Sequence, residues 1–258
     1  MVNGLDRFQT HFANYANRYV LIGGTASSLA MEELGGSFRV TKDLDIVLCV
    51  EALDREFVQA FWDFIKQGEY ENRQKSTGKR LFYRFYEPKQ PGFPAMLELF
   101  SRVPDALDLE EGATLTPVPV DDEVSSLSAI LMDDDYYALV MGRRAVIRGL
   151  SLVGAEALIP LKARAYVDLS NRKAAGEQVD SRNITKHKND IFRLFTVLDL
   201  GIPVHVPARI RSDLREAFAR LAKEPTDLKP FGISGIQLPE LLSELSHFYG
   251  LGDGVSAP

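Results

Sequence analysis

Apolar residues in the first hundred positions switch repeatedly between a helical and an extended period. Leu5, Phe8, Phe12 and Tyr15 recur at helical spacing and predict a helix over 5–17. Tyr19 to Ile22 is an unbroken apolar run, read as a short strand, that ends at Gly23-Gly24. A helix is expected from Ala26 to Leu34, with Gly35-Gly36 as its stop signal. Leu44 to Val50 reads as a buried strand. Leu53, Phe57, Val58, Phe61, Trp62 and Ile65 make the stripe of the next helix. Leu81 to Tyr86 and Met96 to Phe100 read as two further strands. The order helix, strand, helix, strand, helix, strand, strand predicts an α/β (α+β) domain built on a mixed sheet with flanking helices.

The pattern then changes. Residues 104–125, rich in Pro, Asp and Glu, read as an irregular connection. Asp133-Asp134-Asp135 opens a short helix, where acids suit the N-terminus, and Val146 to Leu152 reads as a last strand. From about 154 onwards the spacing is helical, with helices predicted over 158–170, 184–199, 207–222 and 237–248. Pro160 is expected in the first turn of its helix, where a missing N–H is harmless. The organisation expected is an α/β domain over 1–153, a helical domain over 154–250 and a disordered tail over 251–258.

Composition narrows this little. With 258 residues, 45% of them hydrophobic and 26% charged, the chain can bury a substantial core. No apolar run reaches membrane-spanning length and the first residues lack a signal-peptide core, so no membrane association is expected. The single cysteine, Cys49, excludes an intrachain disulfide framework and fits a reducing, cytoplasmic setting. The net charge is −6, but eight Lys/Arg face four Asp/Glu between Lys162 and Arg193. That segment carries +4 and the rest of the chain −10. It is either a phosphate-binding surface or a solvated helical face.

The candidate chemistry lies in three places. Asp43 and Asp45 are spaced i, i+2 in an apolar strand, so both occupy one face. Paired carboxylates suit a hard divalent cation; the alternative is a solvent-exposed strand end. Glu98 interrupts Met96-Leu-Glu-Leu-Phe, opposite in parity to Leu97 and Leu99, and is either a third metal ligand or an exposed edge residue. Gly23, Gly24 and Thr25 stand where a strand turns into a helix, a junction whose free N–H groups receive anions. In the basic segment, Lys162 and Tyr166 share one helix face, and Lys186 and Asp190 another. Lys162 and Lys186 are candidates to hold a triphosphate. The alternative for Asp190 is an intrahelical pair with Lys186.

Together, Gly23-Gly-Thr-Ala, Arg39-x-Thr-x-Asp-Leu-Asp-Ile and Glu98 resemble the nucleotidyltransferase superfamily signature. More closely, the chain is similar to the AbiEii/AbiGii toxin branch. Leu161-Lys162-Ala-Arg164-Ala stands for its lysine helix, and Arg182-xxx-Lys186-His187-xx-Asp190 for its second motif. The chain departs from the pattern in three places: 17 residues separate Thr25 from Asp43, His187 stands for an aspartate, and the third acid is Glu98 rather than Asp. The resemblance implies a metal-dependent transfer of NMP from an NTP to a hydroxyl, with Asp43, Asp45 and Glu98 catalytic and binding Mg²⁺ (or Mn²⁺). It implies nucleotide contacts at Gly23, Gly24, Thr25, Lys162, Lys186 and Asp190. The implied acceptor is RNA, such as tRNA, or a protein, in a toxin–antitoxin or phage-defence setting with a cognate antitoxin. The alternative is a non-catalytic module of the same fold that binds a nucleotide or a protein.

Overall fold

The computed structural model describes residues 3–33, 35, 43–48, 54–71, 82–100, 130–131 and 133–252. The side chains of Asp43, Asp45, Leu48, Phe82, Tyr83, Arg84 and Phe100 lie outside that description, as do the expected irregular connection over 104–125 and residues 253–258 of the expected tail. The described residues divide into two compact units. One is drawn from Met1–Asp121 and Val140–Gly154, the other from Asp122–Leu139 and Ala155–Pro258.

The first unit is an α/β unit built on a mixed sheet. Its strands are β1 (Tyr19–Ile22), β2 (Asp43–Leu48), β3 (Phe82–Tyr86), β4 (Met96–Phe100), β5 (Arg144–Ile147) and β6 (Leu150–Val153). They lie in the order β3-β4-β2-β1-β6-β5. β1 runs antiparallel to β2 and parallel to β6, and β2 runs parallel to β4. All four residues of β1 are buried, as expected for an unbroken apolar strand at the centre of a sheet.

Helices α1 (Leu5–His11), α2 (Gly23–Glu33) and α3 (Arg55–Gly68) belong to this unit. The helix expected over 5–17 stops earlier, at His11, and a short 3₁₀ turn over Ala13–Tyr15 replaces its end. That turn brings Tyr15 edge-on to Phe57, 5.7 Å between ring centroids. Phe12 and Phe64 approach to 5.3 Å and Phe64 and Phe93 to 4.9 Å, so aromatic packing from three chain segments fills this part of the core. α3 starts where Asp54 accepts a hydrogen bond from the Phe57 N–H at 2.8 Å, an N-cap. Gly4 has φ 77°, and a Cβ there would meet the Pro94 nitrogen at 2.2 Å; only glycine lets α1 begin so close to that loop.

Two expectations are corrected here. The single strand predicted over Val146–Leu152 is a hairpin, β5–β6. Its turn residues Arg148 and Gly149 have φ of 51° and 75°, the left-handed pair that a tight two-residue hairpin turn demands. The helix predicted from Ala26 begins instead at Gly23. Its end matches the stop signal, since Gly35 has φ 75° and donates its N–H to the Glu32 carbonyl at 3.1 Å.

The second unit is helical: α5 (Ala155–Ala174), α6 (Ser181–Phe195), α7 (Ala208–Leu221) and α8 (Leu238–Phe248). Helix α4 (Asp134–Gly142) precedes the β5–β6 hairpin. Pro160 is not in the first turn; α5 begins at Ala155 and carries the proline inside it. The ring removes the N–H that would reach the carbonyl of Glu156, four residues earlier. The Tyr249 hydroxyl donates to that carbonyl at 3.1 Å and replaces the lost donor. α8 opens with Gln237 and Glu240 in a reciprocal capping box.

Candidate functional site

β1 ends at Ile22, and the chain turns directly into α2. Gly23 sits at the turn with φ 68°, a conformation that costs a side-chain-bearing residue and costs glycine little. Gly23, Gly24 and Thr25 are all buried in the first turn of α2, and the Ser27 hydroxyl donates to the Gly23 carbonyl at 2.7 Å. Thr25 is therefore the third residue of the helix.

Beside this turn, the register of three strands lines up the acidic positions. Asp45 of β2 is the partner of Ile22 in β1 on one side and of Glu98 in β4 on the other. Asp43 is the partner of Met96. Partners in adjacent strands stand on the same face of a sheet with Cβ atoms roughly 5 Å apart. Position 45 thus joins position 98 across the ladder and adjoins the residue that precedes Gly23. Leu97 and Leu99 are buried while Glu98 is half-buried, so β4 alternates between an apolar face and the face that carries Glu98. On its far side Glu98 is the register partner of Arg84 in β3.

Like charges set directly opposite each other on a sheet are unfavourable unless something compensates them. The donors at 43, 45 and 98 are all carboxylates, which fits a hard dication that prefers oxygen ligands. Among the described side chains no cluster of three or more His, Cys, Asp or Glu is formed; those of Asp43 and Asp45 are outside that set.

The basic candidates lie in the helical unit. Lys162 on α5 is 2% exposed, and its Nζ is 3.1 Å from Oδ2 of Asp190 on α6, itself fully buried. Arg193 adds a second cation 3.4 Å from Oδ1 of Asp190. Asp190 therefore pairs across helices as well as along its own, with Lys162 and Arg193 rather than with Lys186. The cause is burial: the neighbouring α5 residues Ile159, Ala163 and Ala165 and the α6 residues Ile191 and Leu194 exclude water, so an ammonium held there needs a counter-charge. Tyr166 turns its hydroxyl to Glu224 Oε1 at 2.6 Å. Lys186 is half-buried.

Two polar clusters in this unit escaped sequence reading. Asp213 accepts from the Tyr136 hydroxyl at 3.0 Å and from Arg164 at 3.1 Å, with Arg209 at 3.5 Å. Burial and the Asp213 charge together push the Tyr136 phenol far above its ordinary range. Glu224 receives Tyr166 and also Lys188 at 2.9 Å. Desolvation raises the Glu224 pKa, but those two hydrogen bonds and the lysine charge outweigh it, and the net shift is downward. The signal for Asp213 was present: it interrupts the stripe of Ile210, Leu214 and Ala217 on α7.

No protein-family model matches the chain, and no curated protein matches it. Among solved structures it is similar to the crystal structure of an antigenic nucleotidyltransferase-like protein from Paracoccidioides brasiliensis. The two share 15% sequence identity and a TM-score of 0.44, over 93% of this chain and 94% of that one. A likeness that distant says nothing about chemistry. No helix of the described residues is long and apolar enough to cross a membrane.

Proposed function

We propose that the protein is a metal-dependent nucleotidyltransferase whose site is built in the α/β unit. The observation that carries this reading is the β2–β4 register, which sets Glu98 opposite Asp45 one strand away from the Gly23 turn. Asp43, Asp45 and Glu98 would hold Mg²⁺ (or Mn²⁺), which when bound supplies charge neutralisation at the reacting phosphate. The turn at Gly23 and Gly24 receives the phosphates of the NTP. The acceptor hydroxyl oxygen attacks the α-phosphorus, and the bond to the bridging oxygen breaks. Pyrophosphate leaves, and the hydroxyl proton passes to solvent or to a carboxylate of the triad. Positioning and charge neutralisation do most of the work in such a transfer. The acceptor class proposed is an RNA or protein hydroxyl.

Lys162 and Asp190 enter this reading as the pair that locks α5 to α6, not as phosphate ligands. A phosphate reaches Lys162 only by displacing Asp190 from it.

Calorimetric titration of the full chain with each NTP, with and without Mg²⁺, tests the proposal. At least one NTP is expected to bind only with metal, and Asp43→Ala/Asp45→Ala is expected to abolish that binding. NTP binding that ignores both metal and the double substitution would transfer the case to a non-catalytic binding module. No binding at all would remove the nucleotide site altogether.

A further inference from the structure

We propose that Tyr86 is a positioning residue of the transfer site, its phenol donating a hydrogen bond that orients the Glu98 carboxylate for the metal. The inference rests on the nucleotidyltransferase reading above and extends it outward by one side chain. β3 has two unlike faces. The Phe85 ring packs 5.6 Å from that of Phe61 and 5.9 Å from that of Trp62 on α3, and Phe85 is buried with its register partner Leu97. Side chains alternate along a strand, so Tyr86 stands on the other face, which is the face of Glu98.

The register fixes its neighbours there. Tyr86 is the β3 partner of Met96, and Met96 is the β4 partner of Asp43. Glu98 lies two positions along β4 and is the diagonal neighbour of Tyr86. Diagonal neighbours on one face are about 7–8 Å apart, within reach of an aromatic or a long side chain, and this pair has one of each. Asp43 is a strand farther off, in the row of Met96. The backbone keeps Tyr86 at this place: its N–H reaches the Glu71 carbonyl at 3.2 Å, and its carbonyl receives the Glu71 N–H at 2.9 Å.

The side chain supplies an independent observation. The Tyr86 hydroxyl is buried and has no hydrogen-bond partner among the described residues. A buried donor without an acceptor is a standing cost, recovered when an acceptor turns toward it. A carboxylate accepts several hydrogen bonds, so a partner that Glu98 already holds does not exclude the phenol. A carboxylate that binds a dication through one oxygen keeps lone pairs for a donor behind it, and such donors set the orientation of the ligand. The phenol is neutral, so it orients Glu98 without cancelling the negative charge that a metal requires.

The test is calorimetric titration of the full chain with Mn²⁺ alone, for wild type and Tyr86→Phe, with thermal unfolding of both in EDTA. Phenylalanine keeps the ring and removes only the unsatisfied hydroxyl. Without metal the variant is therefore expected to melt no lower than wild type. Its Mn²⁺ dissociation constant is expected to rise about tenfold or more. A purely structural phenol would give the opposite pair, a lower melting temperature and an unchanged affinity. In a chain labelled with ¹³Cζ-tyrosine, the Tyr86 signal, assigned by its absence in the variant, is expected to shift as Mg²⁺ binds. Three results would overturn the proposal: equal Mn²⁺ affinity in the two proteins, a variant that melts lower in EDTA, or a Tyr86 signal that Mg²⁺ leaves in place. Each of these leaves the metal site itself standing. A wild type that binds no Mn²⁺, or whose binding survives Asp43→Ala/Asp45→Ala, overturns the nucleotidyltransferase reading and this inference with it.

Discussion

In the helical unit, each of three acids is met from another helix. Asp190 has Lys162 and Arg193, Asp213 has Arg164 and Tyr136, and Glu224 has Lys188 and Tyr166. In the sheet of the α/β unit the register sets Asp45 beside Glu98 and puts Asp43 two positions along the same strand, while Arg84 is the register partner of Glu98 on its other side. The first pattern is what a fold does with acids that only hold it together. Under the proposed function, the second is where a cation would bind. Acid content alone does not separate the two patterns; what each acid has been placed against does.

The largest expected effect breaks the paired pattern. Asp190→Asn leaves the Lys162 ammonium buried without its counter-charge and is expected to destabilise the chain by about 3–5 kcal/mol in denaturant unfolding. Lys162→Met combined with Asp190→Leu should recover most of that loss, because two apolar groups carry no desolvation debt. If the double substitution is as damaging as the single one, the pair is doing more than neutralising itself.

On the proposed metal site, the acids brought together in the sheet predict a change of sign. Without divalent metal, Asp45→Asn relieves repulsion with Glu98 and is expected to raise stability by roughly 0.2–1 kcal/mol. With Mn²⁺ at a hundredfold excess over its dissociation constant, the wild type gains about 2.7 kcal/mol that the variant lacks. Thermal unfolding with and without Mn²⁺ reads both effects. A variant less stable in both conditions would mean that Asp45 is held by the fold, like the acids of the helical unit.

The smallest effect is a pH dependence at Glu224. Its folded pKa lies below the ordinary value of 4.5, so its stabilising contribution is present above that value and is lost as pH falls through the lower, folded one. The stability gap between wild type and Glu224→Gln is therefore expected to be open at neutral pH and to close as the solution is acidified below about 4.5. A gap independent of pH would show that the hydrogen-bond geometry, not the charge, is what Glu224 supplies.

Much of this was legible in the chain because the elements carry local signals. Apolar period and flanking glycines mark β1, α2, α3 and β4, and these local preferences agree with their tertiary setting. The β5–β6 hairpin was read as one strand because Arg148-Gly149 lacks the asparagine or aspartate that usually announces such a turn. Partner choice was the harder part. Spacing along one helix points Asp190 to Lys186, whereas the structure pairs it with Lys162 from the preceding helix, a contact that no local rule encodes. In the α/β unit the acidic positions stood out as charges inside apolar strands. That β2 and β4 are parallel neighbours, with 45 against 98, is a property of the sheet order and appears only once the sheet is assembled.

β1 has a consequence for how the protein is made. It is the first of the described strands, yet one of its two neighbours is β6, where Leu21 meets Leu152. Between them the chain supplies Asp122–Leu139 to the helical unit. On the ribosome, β1 must therefore wait for the hairpin that flanks it. By then the buried Tyr136 and Tyr137 have emerged, and their unit still awaits the helices that follow. A gene cut after residue 153 would encode one fragment that carries a piece of the other and a second that lacks it.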